Sequence, residues 1–218
     1  KMHTFGENGS RQFCLLTSGN LATTQSIVAQ IRHDIDQGMP ISLFTMKHME
    51  AAADYVGQIS VMQQQKAGGR VDFEASVLFG GQIAGGPPAV YLIYPQGNHI
   101  STSRMTPFLQ IGESKYGKPI LDRAVTYRTD IYDALKVGLV SMDSTMRSNL
   151  AVGLPIDLAI LDVSMPAGDL GVSDRDAGFE VCRRLKRDPR TAAMVSSRRK
   201  VGAWPAPANS ASAATPRP

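Results

Sequence analysis

Few residues of this chain stand in spacings that do chemistry. Cys14 and Cys182 lie far apart, and His3, His33, His48 and His99 are scattered with no H-x-x-x-H pair. Neither set has the spacing of a zinc site, so no metal is expected, and no motif calls for a cofactor. Gly80-Gly-Gln-Ile-Ala-Gly-Gly-Pro-Pro88 has the glycine content of a phosphate loop but lacks the G-K-[ST] ending that supplies a lysine and a magnesium-binding hydroxyl. It reads as a hairpin turn. Thr17-Ser-Gly-Asn20 is different, because Gly19 stands just ahead of a helical pattern. A backbone N–H there points outward with the helix dipole behind it, and glycine lets another backbone approach. Gly19 is therefore a candidate oxyanion donor. The plainer alternative is a turn glycine before a helix cap.

These residues need elements to position them. Phe13–Leu16 is a short apolar run, expected to be a buried strand that Thr17–Asn20 breaks. Leu21, Val28, Ile31 and Ile35 recur at helical spacing, which predicts a helix over 20–36, with Leu21 as core. Met46, Met49, Ala53, Val56 and Ile59 predict a second helix over 45–65, ended by Gly68-Gly69. Phe73–Phe79 and Ala89–Tyr94 read as a hairpin, with short strands at 98–101 and 108–111. Helices follow at 117–126 and 130–148, the latter with Ile131, Leu135, Leu139 and Met142 on one face, and Leu158–Leu161 reads as a last buried strand. Helix pairs divided by a block of antiparallel strands predict an α+β fold rather than a doubly wound one.

The chain has 218 residues, 43% of them hydrophobic and 19% charged, enough for a core. The net charge of +4 misleads. Residues 1–174 hold 13 Lys/Arg against 16 Asp/Glu, and residues 175–218 hold 10 against 3. The basic character thus belongs to the tail, and the body gives no argument for nucleic acid. No apolar run is long enough to span a membrane, and no signal peptide is visible. Two cysteines suit a reducing compartment, and a cytoplasmic location is expected. Ala, Pro and Ser fill 12 of the 18 positions in 201–218, which predicts a disordered tail.

One set of segments resembles a known family. Lys1–Gly6 followed by Leu15–Gln25 looks like the proteasome β-subunit superfamily. Phe73–Ile83, Ile111–Leu121 and Val152–Leu158 resemble its bacterial ancestral beta-subunit (Anbu) type. The resemblance covers roughly 1–162. It implies an N-terminal-nucleophile hydrolase: a four-layer αββα sandwich with two stacked antiparallel sheets. It also implies a threonine whose hydroxyl attacks the peptide carbonyl while its own amine acts as base. This sequence starts at Lys1, which matches the family's catalytic lysine, so the strands carrying the threonine and a carboxylate are absent and an N-terminal truncation is expected. Thr4 is internal and has no free amine. The expected domains are 1–165, incomplete at its start, a divergent basic segment at 166–200, and the tail.

By the same resemblance Lys1 stabilises a developing alkoxide, and Gly19 becomes the oxyanion donor. Thr17, Leu21 and Gln25 line the primary specificity pocket. The Gly112-Glu-Ser114 turn and Asn149 fall near the family's serine and aspartate. Asn149 is a candidate catalytic-site residue with Lys1 and Gly19, one that either holds a main-chain group or is structural; Ser114 reads as an ordinary loop residue. The expected partners are further copies of the chain, in a ring or spiral, and a peptide or unfolded protein as substrate. The expected function is that of a subunit or fragment of a self-compartmentalising threonine peptidase. The alternatives are a non-catalytic assembly component and a response-regulator-like fragment. The last rests on Asp157–Pro166 and Gly178–Lys186, where Asp162 would accept phosphate; the spacing argues for coincidence.

Overall fold

Alternation along β2 (Arg11–Gly19) sets the layering, because successive side chains of a strand point to opposite faces. Phe13 and Leu15 are fully buried on one face, against α1 (Leu21–Asp36) and α2 (Met49–Lys66). The computed structural model describes residues 1–7, 10–68 and 73–159. The remaining elements are β1 (Met2–Glu7), β3 (Ala75–Ile83), β4 (Ala89–Ile93), β5 (His99–Ser101), α3 (Lys118–Ala124) and α4 (Ile131–Ser148). The five strands form one antiparallel sheet in the order β1-β2-β3-β4-β5. The α+β arrangement of antiparallel strands and helix pairs is present, with β1 at an edge. A second sheet is not formed among the described residues. Leu158 and Ala159 are not in a strand, and 160–161 lie outside those residues, as do the segments 166–200 and 201–218 and Asp162.

The core lies between the sheet and α1/α2. Leu15 faces Phe79 and Thr17 faces Val77 across the β2–β3 ladder. The Phe13 and Phe79 rings stack 5.5 Å apart, an aromatic pair contributing about 0.5–1.5 kcal/mol beyond its buried area. Ile27, Val28 and Ile31 of α1 and Ala52, Ala53 and Val56 of α2 close over them. One polar network crosses the helix pair. Tyr55 donates to Asp34 at 2.6 Å, Gln30 donates to the other Asp34 oxygen at 2.8 Å, and Gln63 donates to Gln30 at 3.4 Å. These bonds satisfy a buried carboxylate and set how α1 and α2 sit against each other.

Several expectations are corrected. β2 does not break at Thr17. Its ladders with β1 and β3 carry the strand on to Gly19. α2 begins at Met49, not 45. Ser42–Thr45 closes a turn around the fully buried Leu43, and His48 caps the helix. Arg11 pins that turn, donating to the carbonyls of Phe44 and Met46 with its guanidinium over the Phe44 ring. Gly80 to Ile83 belong to β3, so the hairpin turn is only 84–88. Gly81 is needed inside the strand, since a Cβ there would lie 2.4 Å from the Gln12 carbonyl. Residues 108–111 form no strand. Leu21 is 52% exposed rather than core, because it opens α1 on the outward side. Of the α4 stripe, Ile131 is 59% exposed, while Ser141 and Thr145 of the same helix are buried under Gly117. Ile131 and Leu135 of that stripe line a cleft of about 480 Å³ opposite Gly81 and Val90 of the sheet.

Two outcomes test this packing. Gly57→Ala places a methyl 2.2 Å from the Gly97 carbonyl, where α2 meets the β4–β5 turn. Overpacking of this kind costs about 1–3 kcal/mol, read as a lower urea midpoint with an unchanged slope. The second concerns Tyr55, whose hydroxyl is pushed above its usual range, first by burial and then by its bond to Asp34. The neutral form is thus the one the fold favours. That stability is fully present below an unfolded tyrosine pKa of about 10 and is lost as pH rises above it. Tyr55→Phe should remove that part of the alkaline loss and cost about 1–3 kcal/mol at neutral pH, because Asp34 loses a donor.

Candidate functional site

The site is built at the end of the sheet where β1 begins and β2 ends. Lys1 and Thr17 exchange both backbone bonds: Thr17 N–H donates to the Lys1 carbonyl at 3.0 Å, and the Lys1 amino nitrogen donates to the Thr17 carbonyl at 3.1 Å. The pairing puts both side chains on the sheet face that carries α1. By the same alternation the Gly19 N–H leaves β2 on the edge that Lys1 occupies, just past the end of β1. Gly19 has φ of +100°, and a Cβ there would sit 2.5 Å from the Glu74 carbonyl. Only glycine takes that conformation in that space without strain. The next residue, Asn20, donates its N–H to the same carbonyl at 3.0 Å. Its side chain accepts from Thr23 N–H at 3.0 Å and caps α1.

Of the residues selected from sequence, the structure brings together Lys1, Thr17 and Gly19 on adjacent strands. Leu21 and Gln25 stand one turn apart on the exposed side of the first turns of α1. The electrostatics are positive. His3 lies two residues along β1 from Lys1, and its imidazole is held below its usual range, first by burial and then by the charges of Arg32 and Lys1. A cluster of cations disfavours one more positive charge and favours a developing anion.

Asn149 arrives from α4. It is the C-cap of that helix, its N–H bonded to Thr145 at 2.8 Å. Its Oδ1 accepts from Ala151 N–H, two residues on, at 2.9 Å, and its Nδ2 donates to Glu113 Oε2 at 2.8 Å. The turn carrying Glu113 lies beside the end of β2: a Cβ on Gly112 would be 3.7 Å from the Ser18 Cβ. Ser114 is exposed, as a loop residue would be. Glu113 was not selected from sequence. Its Oε1 accepts from Lys115 N–H at 2.7 Å. That backbone donor first, and the Asn149 amide next, hold its carboxyl below the usual range. The available signal was a carboxylate directly after Gly112, whose φ of +80° turns the chain there. The described residues contain no group of three or more His, Cys, Asp or Glu placed to hold a metal, and no helix among them is long and apolar enough to cross a membrane.

No family model matches the chain, and a search of curated proteins finds no relative. Solved structures do match. Anbu (ancestral beta-subunit) from Yersinia bercovieri is 44% identical over 71% of this chain and 66% of its own, with a TM-score of 0.69. Anbu from Pseudomonas aeruginosa, solved as a helical assembly, is 46% identical over 71% of this chain and 66% of its own, with a TM-score of 0.67. A form of Anbu from Hyphomicrobium sp. strain MC1 is 39% identical over 66% of this chain and 68% of its own, with a TM-score of 0.59. The chain thus spans 66% of the length of the Yersinia and Pseudomonas proteins. Identity at this level over most of the described fold, together with the Lys1–Thr17–Gly19 corner, decides the family: the chain belongs to the ancestral beta-subunit, or Anbu, family of proteasome-related proteins.

Proposed function

We propose that the chain is the greater part of a subunit of a proteasome-like, self-compartmentalising threonine peptidase, working in the cytoplasm on peptides or unfolded protein. The observation that supports this best is the corner itself. Lys1 is fixed opposite Thr17, two residues before a positive-φ glycine that opens the capped helix α1. In the reaction a threonine hydroxyl attacks the peptide carbonyl, and its proton passes to the threonine's own amine. An ester bond forms, the peptide C–N bond breaks, and the leaving amine takes the proton. Water then hydrolyses the ester. Lys1 is assigned the stabilisation of the alkoxide, and the Gly19 N–H the oxyanion. Thr17, Leu21 and Gln25 are assigned the wall of the pocket for the residue before the cut bond. Leu21, apolar and half exposed, suits such a wall.

Association with further copies is part of the proposal. The Pseudomonas relative was solved as a helical assembly. Here α1 and α2 form one outer layer, and their outward faces are the surfaces assigned to contacts between subunits.

The test joins an N-terminal segment beginning with threonine ahead of Lys1 and follows a fluorogenic peptide. A polypeptide that begins at Lys1 should show no turnover, since its amine and a hydroxyl are not on one residue. The extended form should turn over slowly, and replacing its first threonine with alanine should abolish this. Within the extended form, Lys1→Ala or Gly19→Ala should lower kcat by roughly 10²–10³-fold. Turnover by the Lys1-initiated chain that is indifferent to both substitutions would sink the assignment. Sedimentation should show species larger than a monomer at micromolar concentration, reduced by charge reversals on the outward faces of α1 and α2.

A further inference from the structure

One flank of α1 and the edge strand β1 face each other along a line of positive charge. Side chains alternate along β1, so Lys1, His3 and Phe5 share a face. Phe5 belongs to the core beneath α1, and His3 pairs with the fully buried Leu15, so this is the face that α1 covers. His3 is half-buried, open on one side. On α1, Gln30 and Asp34 are bonded to Gln63 and Tyr55 of α2, which lies over β3 and β4. Leu21, Gln25 and Arg32 recur at i, i+4 and i+11 of a helix with about 3.6 residues per turn. They therefore stand on the flank turned away from α2, on the side of β1, and all three are exposed. The Arg32 charge acts on the His3 imidazole more strongly than the Lys1 charge does, which puts Arg32 at the His3 end of the groove. Among the described residues no carboxylate forms an ion pair with Arg32 or Lys1, and Asp36, one turn beyond Arg32, is no exception. The complement to this groove is an anion with oxygen acceptors.

We propose that the groove between β1 and α1 binds the carboxylate of a peptide side chain, a glutamate before the cut bond, with Arg32 and His3 as its partners and Leu21 and Gln25 along its stem. Calling that residue the one before the cut bond rests on the peptidase reading; the carboxylate chemistry does not. The arginine fork offers two parallel N–H donors to one carboxylate, and the imidazole offers a third. Geometry selects glutamate over aspartate. His3 stands one pleat repeat, about 7 Å, along β1 from Lys1. A side chain entering from the Lys1–Thr17–Gly19 corner must cross that distance, and the longer one spans more of it. Lys1 keeps its assigned place beside the alkoxide. Arg32 and His3 touch the substrate side chain and not the reacting atoms, so they set specificity.

The test measures fluorescence anisotropy of short peptides with the 218-residue chain, each peptide carrying the same uncharged dye at its N-terminal end. Three are C-terminally amidated and differ at one position, which is Glu, Gln or Lys. A fourth carries Gln and a free C-terminal carboxylate. The Glu peptide should bind roughly tenfold tighter than the amidated Gln peptide, the size of a charge-assisted hydrogen bond. That advantage should vanish in Arg32→Gln, shrink in His3→Gln, and fall with added salt. Arg32→Glu should reverse it in favour of the Lys peptide, a change that loss of structure would not produce. Equal binding of the Glu and Gln peptides, an advantage that survives Arg32→Gln, or no saturable binding of the Glu peptide into the millimolar range would overturn the proposal. A free-carboxylate peptide binding as well as the Glu peptide would overturn the side-chain assignment. Circular dichroism separates these outcomes from misfolding of a variant. A threonine-initiated form without turnover, alongside an intact Glu preference, would sink the peptidase reading and leave this site standing.

Discussion

The ladder that β2 makes with its two neighbours is the constraint on which the other features depend. β1 and β3 hold β2 in antiparallel register over nearly its whole length. That register carries an apolar strand through Thr17 and Ser18, residues that would otherwise turn, and delivers Gly19 against the Glu74 carbonyl. Only there does the chain leave the sheet, through a positive-φ glycine, into a capped helix. Lys1 faces Thr17 through two backbone bonds, so the position of a candidate catalytic lysine is set by main-chain geometry rather than by its own flexible side chain.

The two faces of the sheet have different fates. One is closed by α1 and α2, whose small and β-branched residues let the helices lie flat on Phe13, Leu15, Val77 and Phe79. The Tyr55–Asp34–Gln30–Gln63 network settles how that helix pair is arranged. The other face is only partly covered. Val90 and Ile100 are 41% and 40% exposed, and across the cleft Ile131 of α4 is exposed as well. Exposed apolar groups at this density usually mark surface that something else covers.

Much of the fold was legible in sequence because its signals are local. Helical spacing located α1 and α4 to within a residue at each end, and the apolar segments Phe73–Phe79 and Ala89–Tyr94 located the hairpin. Three of the misplacements share one cause. Thr17–Gly19, Gly80–Gly81 and residues 45–48 were judged by turn or helix propensity, and tertiary partners overrode it. Thr17 and Gly81 are strand residues because neighbouring strands bond to them, and 42–45 is a turn because Leu43 must be buried and Arg11 reaches its carbonyls.

The sequence by itself determined the class of fold, the resemblance to the Anbu family, and the selection of Lys1, Gly19 and Asn149, since residue types, short spacings and long matching segments are written along the chain. Tertiary structure alone decided what those residues face. That Lys1 lies opposite Thr17 depends on strand register, which no single segment encodes. That Asn149 grips Glu113, 36 residues away, depends on how the end of α4 meets the turn after Gly112. Glu113 lay within the matching segment Ile111–Leu121, but no spacing singled it out; a carboxylate acquires its role from donors that folding brings to it, and those donors are distant in sequence or belong to the backbone.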